Sequence, residues 1–273
     1  MLKYDCHIHS VNSVDSDQTL DMICSTAIKK GISGVTVTDH ADMWYYAETD
    51  TLSRIKSSIS DTCKAAEKYG DRLSVFCGIE LSEYDYDPQK SAELLELTEY
   101  DAVLGSVHCV EFEGFHDAYS RIPFGPDFKD EEIYAFLEEY LLYINRMVDK
   151  FDLDIAAHLT CPLRYINGKY GRNADIMKFT DEITEILRKI IKRDMALEVN
   201  TSGMKGQNGY LMPDERILSL YRSLGGEKIT LGSDAHITQN IGNSFKRVVE
   251  ILKRIGFNGY YYYKKRKGIK INF

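Results

Sequence analysis

The chain has 273 residues, 44% hydrophobic and 28% charged, with a formal net charge of −8. That is an ordinary globular balance, with enough chain for one large core or two small ones. The acidic charge argues against a broad electrostatic grip on DNA or another polyanion, and no apolar run approaches the roughly 20 residues that span a bilayer. No basic stretch followed by an apolar core opens the sequence, so no signal peptide is expected and localisation defaults to the cytoplasm. The six cysteines (Cys6, Cys24, Cys63, Cys77, Cys109, Cys161) form no Cys-x-x-Cys pair and read as reduced thiols.

Residues 2–8 read as the first strand. A helix over 20–30 follows, with Leu20, Ile23, Ala27 and Ile28 at helical spacing and Gly31 as its stop. The second strand, 34–38, runs into Asp39-His40; a helix over 50–69 closes at Gly70. The third strand, 73–77, ends in Gly78-Ile79-Glu80, and Asp87-Pro88 starts a helix near 88–98. The fourth strand, 101–104, ends in Gly105-Ser106-Val107-His108. Gly114, Pro123, Gly125 and Pro126 then predict a long irregular loop over 109–129. A long amphipathic helix is expected over 130–150, a fifth strand over 154–157 ending in His158, and a second long loop over 159–178. Then come a helix over 180–193, a sixth strand over 196–199 ending in Asn200, a helix over 213–224, and a seventh strand over 228–231 ending in Gly232-Ser-Asp234-Ala-His236. The last helix spans 240–255; Tyr260 to Phe273 reads as a terminal β-hairpin or arm, with Lys264 to Lys267 as a solvated turn.

Seven alternations of strand and helix predict an α/β fold with a parallel sheet. No glycine-rich nucleotide fingerprint follows any strand. A closed, TIM-like barrel of seven β/α units, one domain over 1–273, accounts for more. Such barrels carry their sites at the C-terminal ends of the strands, and the polar clusters sit there. His7 and His9, two apart on a strand, point the same way. Six of the seven histidines (7, 9, 40, 108, 158, 236) fall at or near a predicted strand end; His116 does not. Converging protonated imidazoles would repel one another, whereas divalent metal holds them neutral. Glu80, Asp234 and Asp15 complete the set, with Asp17 the alternative to Asp15. Nine ligands exceed one ion's needs and imply two or three, of Zn, Mn or Fe. Strand order divides them into Glu80, His108 and His158; His236, Asp15 and His40; and His7, His9 and Asp234, with Glu80 bridging. Asp5 and Asp39 read as partners that orient histidines.

The stretches Asp5-Cys-His-Ile-His9, Thr38-Asp-His40, Gly78-Ile-Glu80, Gly105-Ser-Val-His108, Ala157-His158 and Gly232-Ser-Asp-Ala-His236 resemble the polymerase-and-histidinol-phosphatase (PHP) superfamily. The resemblance implies a distorted seven-stranded (β/α)7 barrel with a trinuclear metal centre. Cys161-Pro-Leu-Arg-Tyr165 and Glu198-Val-Asn-Thr-Ser-Gly203 look most like the monofunctional histidinol-phosphate phosphatases. That similarity implies hydrolysis of L-histidinol phosphate, a small phosphorylated substrate, in histidine biosynthesis. Arg164 is the first choice for a bidentate phosphate clamp, with Arg172 and Lys205 as weaker candidates. Asp234 or His236 would protonate the leaving alkoxide through water, and Asn200 and Ser202 would meet the amine or imidazole. The competing readings are a PHP phosphoesterase acting on nucleotides or nucleic acid, a phosphotyrosine-protein phosphatase, and a non-catalytic metal-binding or sensory protein. Nothing in the sequence demands an oligomer.

Overall fold

The computed structural model describes residues 3–204 and 209–273. Its elements begin β1 (Tyr4–Ile8), α1 (Leu20–Lys29), β2 (Gly34–Val37), β3 (His40–Asp42), α2 (Thr51–Tyr69), β4 (Ser74–Ser82) and α3 (Pro88–Leu95). They continue with β5 (Ala102–Ser106), β6 (Cys109–Phe112), β7 (Phe115–Ala118), α4 (Asp130–Lys150), β8 (Ile155–Ala156) and α5 (Thr180–Lys192). The last are β9 (Ala196–Asn200), α6 (Glu215–Ser223), β10 (Ile229–Gly232), α7 (Phe245–Ile255), β11 (Gly259–Lys264) and β12 (Lys267–Asn272). Helix ends follow local chemistry. The Thr19 and Asp87 side chains cap α1 and α3, Asp214 caps α6, and Gly256, at φ +101°, stops α7.

Parallel strands β1, β2, β4, β5, β8, β9 and β10 pair in that order. Helices cover their outer faces, so strands such as Gly34-Val-Thr-Val37 are buried along their whole length. The seam between β10 and β1 is narrow: Asp234 N–H donates to His7 O at 2.8 Å and His9 N–H to Ala235 O at 3.1 Å. The barrel is thus nearly closed. It is distorted where the second strand breaks at Thr38-Asp39. β2 pairs with the first half of β4, and β3 pairs with its second half, with His40 opposite Glu80.

Several expectations are corrected. The third strand does not stop at Cys77: β4 runs on to Ser82, because β3 and β5 both pair with its second half, so Glu80 lies inside it. The loop over 109–129 contains the antiparallel hairpin β6–β7. The loop over 159–178 contains a π-helical turn, Arg164–Lys169, and a 3-10 turn, Ile176–Phe179. The last helix begins only at Phe245, after a 3-10 turn at Thr238–Asn240. The C-terminal hairpin β11–β12 docks under the N-terminal ends of the strands, where Tyr4 and Tyr262 stack at 4.0 Å and Tyr4 N–H donates to the Tyr260 hydroxyl at 2.9 Å. Its basic turn is not merely solvated: Arg266 pairs with Asp152 and Asp154, and Lys265 N–H donates to Asp101. All six cysteines are free, with Cys6 and Cys109 buried. Among the described residues no helix is long and apolar enough to cross a membrane.

Candidate active site

At the C-terminal ends of the barrel strands, residues far apart in sequence converge. β1 supplies His7 and, just beyond its end, His9; β3 starts with His40; β4 carries Glu80; His108, His158, Asp234 and His236 follow β5, β8 and β10. His158 (φ +22°) and Asp234 (φ +49°) adopt the left-handed backbone that turns their side chains over the rim, a conformation often stored at functional sites. His7 Nε2 lies 3.0 Å from His9 Nε2, and His40 Nε2 lies 3.3 Å from His236 Nε2. Glu80 sits at the centre: Oε1 is 2.7 Å from His158 Nε2 and 3.3 Å from His108 Nε2, and Oε2 is 2.9 Å from His40 Nδ1. Asp15, from the loop after β1, reaches His236 Nε2 at 3.1 Å and His40 Nε2 at 3.7 Å. Four overlapping groups have ligand atoms within 4.8 Å of one another: His7–His9–Asp234, His7–Glu80–His158, His40–Glu80–His108 and His9–His40–His236.

A set of hydrogen bonds aims these rings. His7 Nδ1 donates to Glu198, His108 Nδ1 to Asp42, and His236 Nδ1 to the Asp234 carbonyl. His9 Nδ1 donates to Ser13 Oγ, whose own proton goes to Asp39. Each bond leaves the Nε2 lone pair facing the centre, where each close pair of nitrogens has room for one positive particle, a proton or a cation. Glu80 Oε2 and His40 Nδ1 are buried and lack any aligned hydrogen bond, although only 2.9 Å separates them. Orphaned buried atoms, opposed lone pairs and a mixed imidazole–carboxylate donor set together fit divalent ions.

The electrostatics agree. Burial disfavours the His7 cation, but Glu198, Glu80 and Asp234 outweigh it and hold the imidazole well above its ordinary pKa. His108 is likewise held well above, and His40 is raised to about 9, by Asp42 and Glu80 against burial. His9, buried and facing His236 and His40, is pushed well below. Glu80 and Asp234 stay ionised despite burial because histidines surround them.

A cavity of about 570 Å³ opens above this cluster, lined among others by Asp15, His108, Tyr119, Cys161, Arg164 and His236. Arg164 lies in its wall: Nη1 donates to Ser202 Oγ at 2.7 Å and lies 3.4 Å from Asp234 Oδ2, while Nη2 donates to Tyr165 at 2.8 Å. The other substrate-binding candidates sit differently. Arg172 is turned away, donating to Gly125 O at 2.7 Å and pairing with Asp130. Asn200 is buried below the cavity, where it donates to Glu198 at 3.1 Å and accepts from Ser202 N–H. The Ser202 hydroxyl is already taken up by Arg164 and Asp234. Lys205 lies outside the described residues. His116 stands apart, paired with Glu111 at 3.0 Å. Asp5 bonds backbone and not an imidazole ring: its carboxylate accepts from Ser233 and Gly242 N–H and also meets the His7 backbone. Sequence reasoning missed Glu198, Asp42 and Ser13. The one available signal was a charged residue inside the otherwise apolar strand Ala196-Leu-Glu-Val199.

Fold and rim together define an α/β barrel built to bind divalent metal. The chain belongs to the PHP domain family, whose profile matches residues 5–202. It is 31% identical to the probable histidinol-phosphatase of Thermotoga maritima, covering 93% of this chain and 92% of that one. It is 26% identical to the histidinol-phosphatase of Lactococcus lactis subsp. lactis, over 94% of this chain and 93% of that one. A crystal structure of the histidinol phosphate phosphatase of that bacterium, complexed with zinc, L-histidinol and phosphate, superposes with a TM-score of 0.81 at 25% identity, covering 98% of this chain and 99% of that one.

Proposed function

We infer that the protein is a metal-dependent phosphomonoesterase that hydrolyses L-histidinol phosphate to L-histidinol and phosphate. The observation that carries this reading is the set of four overlapping ligand groups at the floor of an open cavity, in a chain whose full-length relatives are histidinol-phosphatases. His7, His9, Asp15, His40, Glu80, His108, His158, Asp234 and His236 would hold two or three divalent ions, of zinc, manganese or iron. Such ions supply Lewis acidity to a phosphoryl group and bring the pKa of water down to near 7.

The protein's own residues do the rest. Arg164, braced by Ser202 and Tyr165, binds and orients the phosphoryl oxygens at the cavity wall. Asp234, kept ionised, accepts hydrogen bonds and fixes Arg164 toward the metal ligands. His236 carries its Nδ1 proton on the Asp234 carbonyl and turns Nε2 to the ligand cluster, so the proton for the leaving alkoxide comes from water in the open cavity. Glu48 and Asp42 line the cavity and suit a substrate that carries an ammonium group. The cavity also suits one small phosphorylated molecule, not a nucleic-acid strand.

Phosphate release from histidinol phosphate, tyrosine phosphate and a mononucleotide, compared on one zinc-loaded preparation, tests the reading. Histidinol phosphate should give the highest kcat/KM by at least tenfold. A preference for either other substrate replaces the specificity, and no release from any of them removes the catalytic reading.

A further inference from the structure

Glu198 lies on β9 with 1% of its surface exposed, beneath the ligand cluster and out of the cavity. Its two oxygens serve different strands. Oε1 accepts from His7 Nδ1 of β1 at 2.7 Å; Oε2 accepts from the backbone N–H of His158, beyond β8, at 2.7 Å and from Asn200 Nδ2 at 3.1 Å. The His158 bond closes the backbone at the point where φ reaches +22°. The carboxylate fits only because residue 232 of the neighbouring β10 is glycine: a Cβ there would lie 2.0 Å from Oε1 and 2.8 Å from His7 Cβ. A buried carboxylate with both oxygens hydrogen-bonded, and a neighbour cut back to hydrogen to admit it, is a built feature of the barrel.

We propose that Glu198 is a positioning residue that aims two ligands at once, fixing the ring of His7 through Nδ1 and the place of His158 through its main chain. The inference rests on the reading of His7 and His158 as metal ligands. An ionised carboxylate is acceptor-only, so it suits two N–H donors at once, whereas an amide of the same shape offers one oxygen and one N–H₂. In Glu198→Gln, either His7 Nδ1 or the His158 N–H therefore faces a donor. The His7 ring also loses the negative charge that raises its basicity as a ligand.

Zinc affinity, measured by competition with a chromophoric chelator, should fall 10–100-fold in Glu198→Gln while the circular dichroism spectrum is kept. Gly232→Ala keeps every ligand and displaces the carboxylate; it should weaken zinc binding in the same sense. Tyr260→Phe, at the far end of the barrel, serves as a destabilised control and should keep wild-type zinc affinity. In the zinc-loaded wild type, ¹⁵N-histidine NMR should find His7 protonated at Nδ1. Wild-type zinc affinity in Glu198→Gln, or a His7 protonated at Nε2 in the wild type, overturns the proposal. If Glu198→Gln does not fold, the wild-type NMR assignment decides alone. A wild-type chain that binds no zinc at all instead overturns the underlying reading of the site.

Discussion

Of Arg164 and Arg172, Arg164 is the one that reaches the cavity, whereas Arg121, also in the lining, is paired with Asp117. Arg164 reaches it as a planar fork. One nitrogen meets Ser202 and approaches Asp234, the other meets Tyr165, and the guanidinium carbon sits 5.0 Å from the Tyr165 ring centre. An ammonium cannot reproduce that geometry. Arg164→Lys should therefore lower kcat/KM for histidinol phosphate about 100-fold, the order seen when one preorganised donor is lost, with little change in Tm. A loss under threefold would show that another group binds the phosphate. The imidazoles make a second prediction. With His7 and His108 held well above their ordinary range and His40 raised to about 9, the metal-free site is protonated at pH 7. Zinc needs the lone pairs those protons occupy, so loading at pH 7 should release at least one proton per chain, and release should fall as pH rises past 9. Calorimetry in buffers of different ionisation enthalpy reads that number, and buffer-independent heats at pH 7 would refute the protonation scheme. The convergence of the rim histidines was legible in the sequence because strand ends in a β/α barrel all face one rim, so a histidine at a strand end needs no knowledge of its neighbours. Glu198 and Asp42 were not, because their meaning depends on which ring lies across the barrel. Arg172 misled because a loop cation can turn outward as readily as inward, and the Asp130 carboxylate drew it out.

The hairpin β6–β7 turns through Glu113 (φ +46°) and Gly114 (φ +84°), both left-handed, the signature of a two-residue type I′ turn. Glutamate is a poor occupant of that position, which is why the sequence gives no hairpin signal there and reads as an irregular loop. Asparagine tolerates the conformation better. Glu113→Asn should stabilise the hairpin by about 0.5–1 kcal/mol, seen as slower hydrogen exchange at the Val110 and Phe112 amides. Unchanged or faster exchange would show that the turn is not strained. The long helices posed no such problem. α4 spans residues 130–150 as expected, with Ile133, Phe136, Leu137, Tyr140, Leu141, Ile144, Met147 and Val148 all buried, because its apolar spacing repeats over many turns. β4 shows the opposite case. Its apolar run gives way to Gly78 and Glu80, so the expected strand stopped at Cys77, yet pairing from both sides carries it through to Ser82.

Opposite the site, the barrel's lower end is closed by β11–β12. Tyr260 and Tyr263 are buried there with 1% and 3% of their surface exposed, and Tyr262 stacks on Tyr4 at the start of the first strand. The sequence announced a terminal hairpin through its run of tyrosines, but a run of aromatics does not say what it lies against, and the neighbouring basic residues pointed to solvent. Docking follows from the acidic residues Asp101, Asp152 and Asp154 that precede β5 and β8 and meet the turn. The two ends of the barrel should therefore separate experimentally. In Tyr260→Phe the buried Tyr4 N–H loses its acceptor, which should cost about 1–3 kcal/mol in urea unfolding. That loss begins at the far end of β1 from His7 and His9. The folded variant should consequently retain wild-type zinc stoichiometry and a kcat within twofold of wild type. A kcat that falls along with stability would mean that the first strand transmits the disturbance from one end of the barrel to the other, and that the rim is not set by its own hydrogen bonds alone.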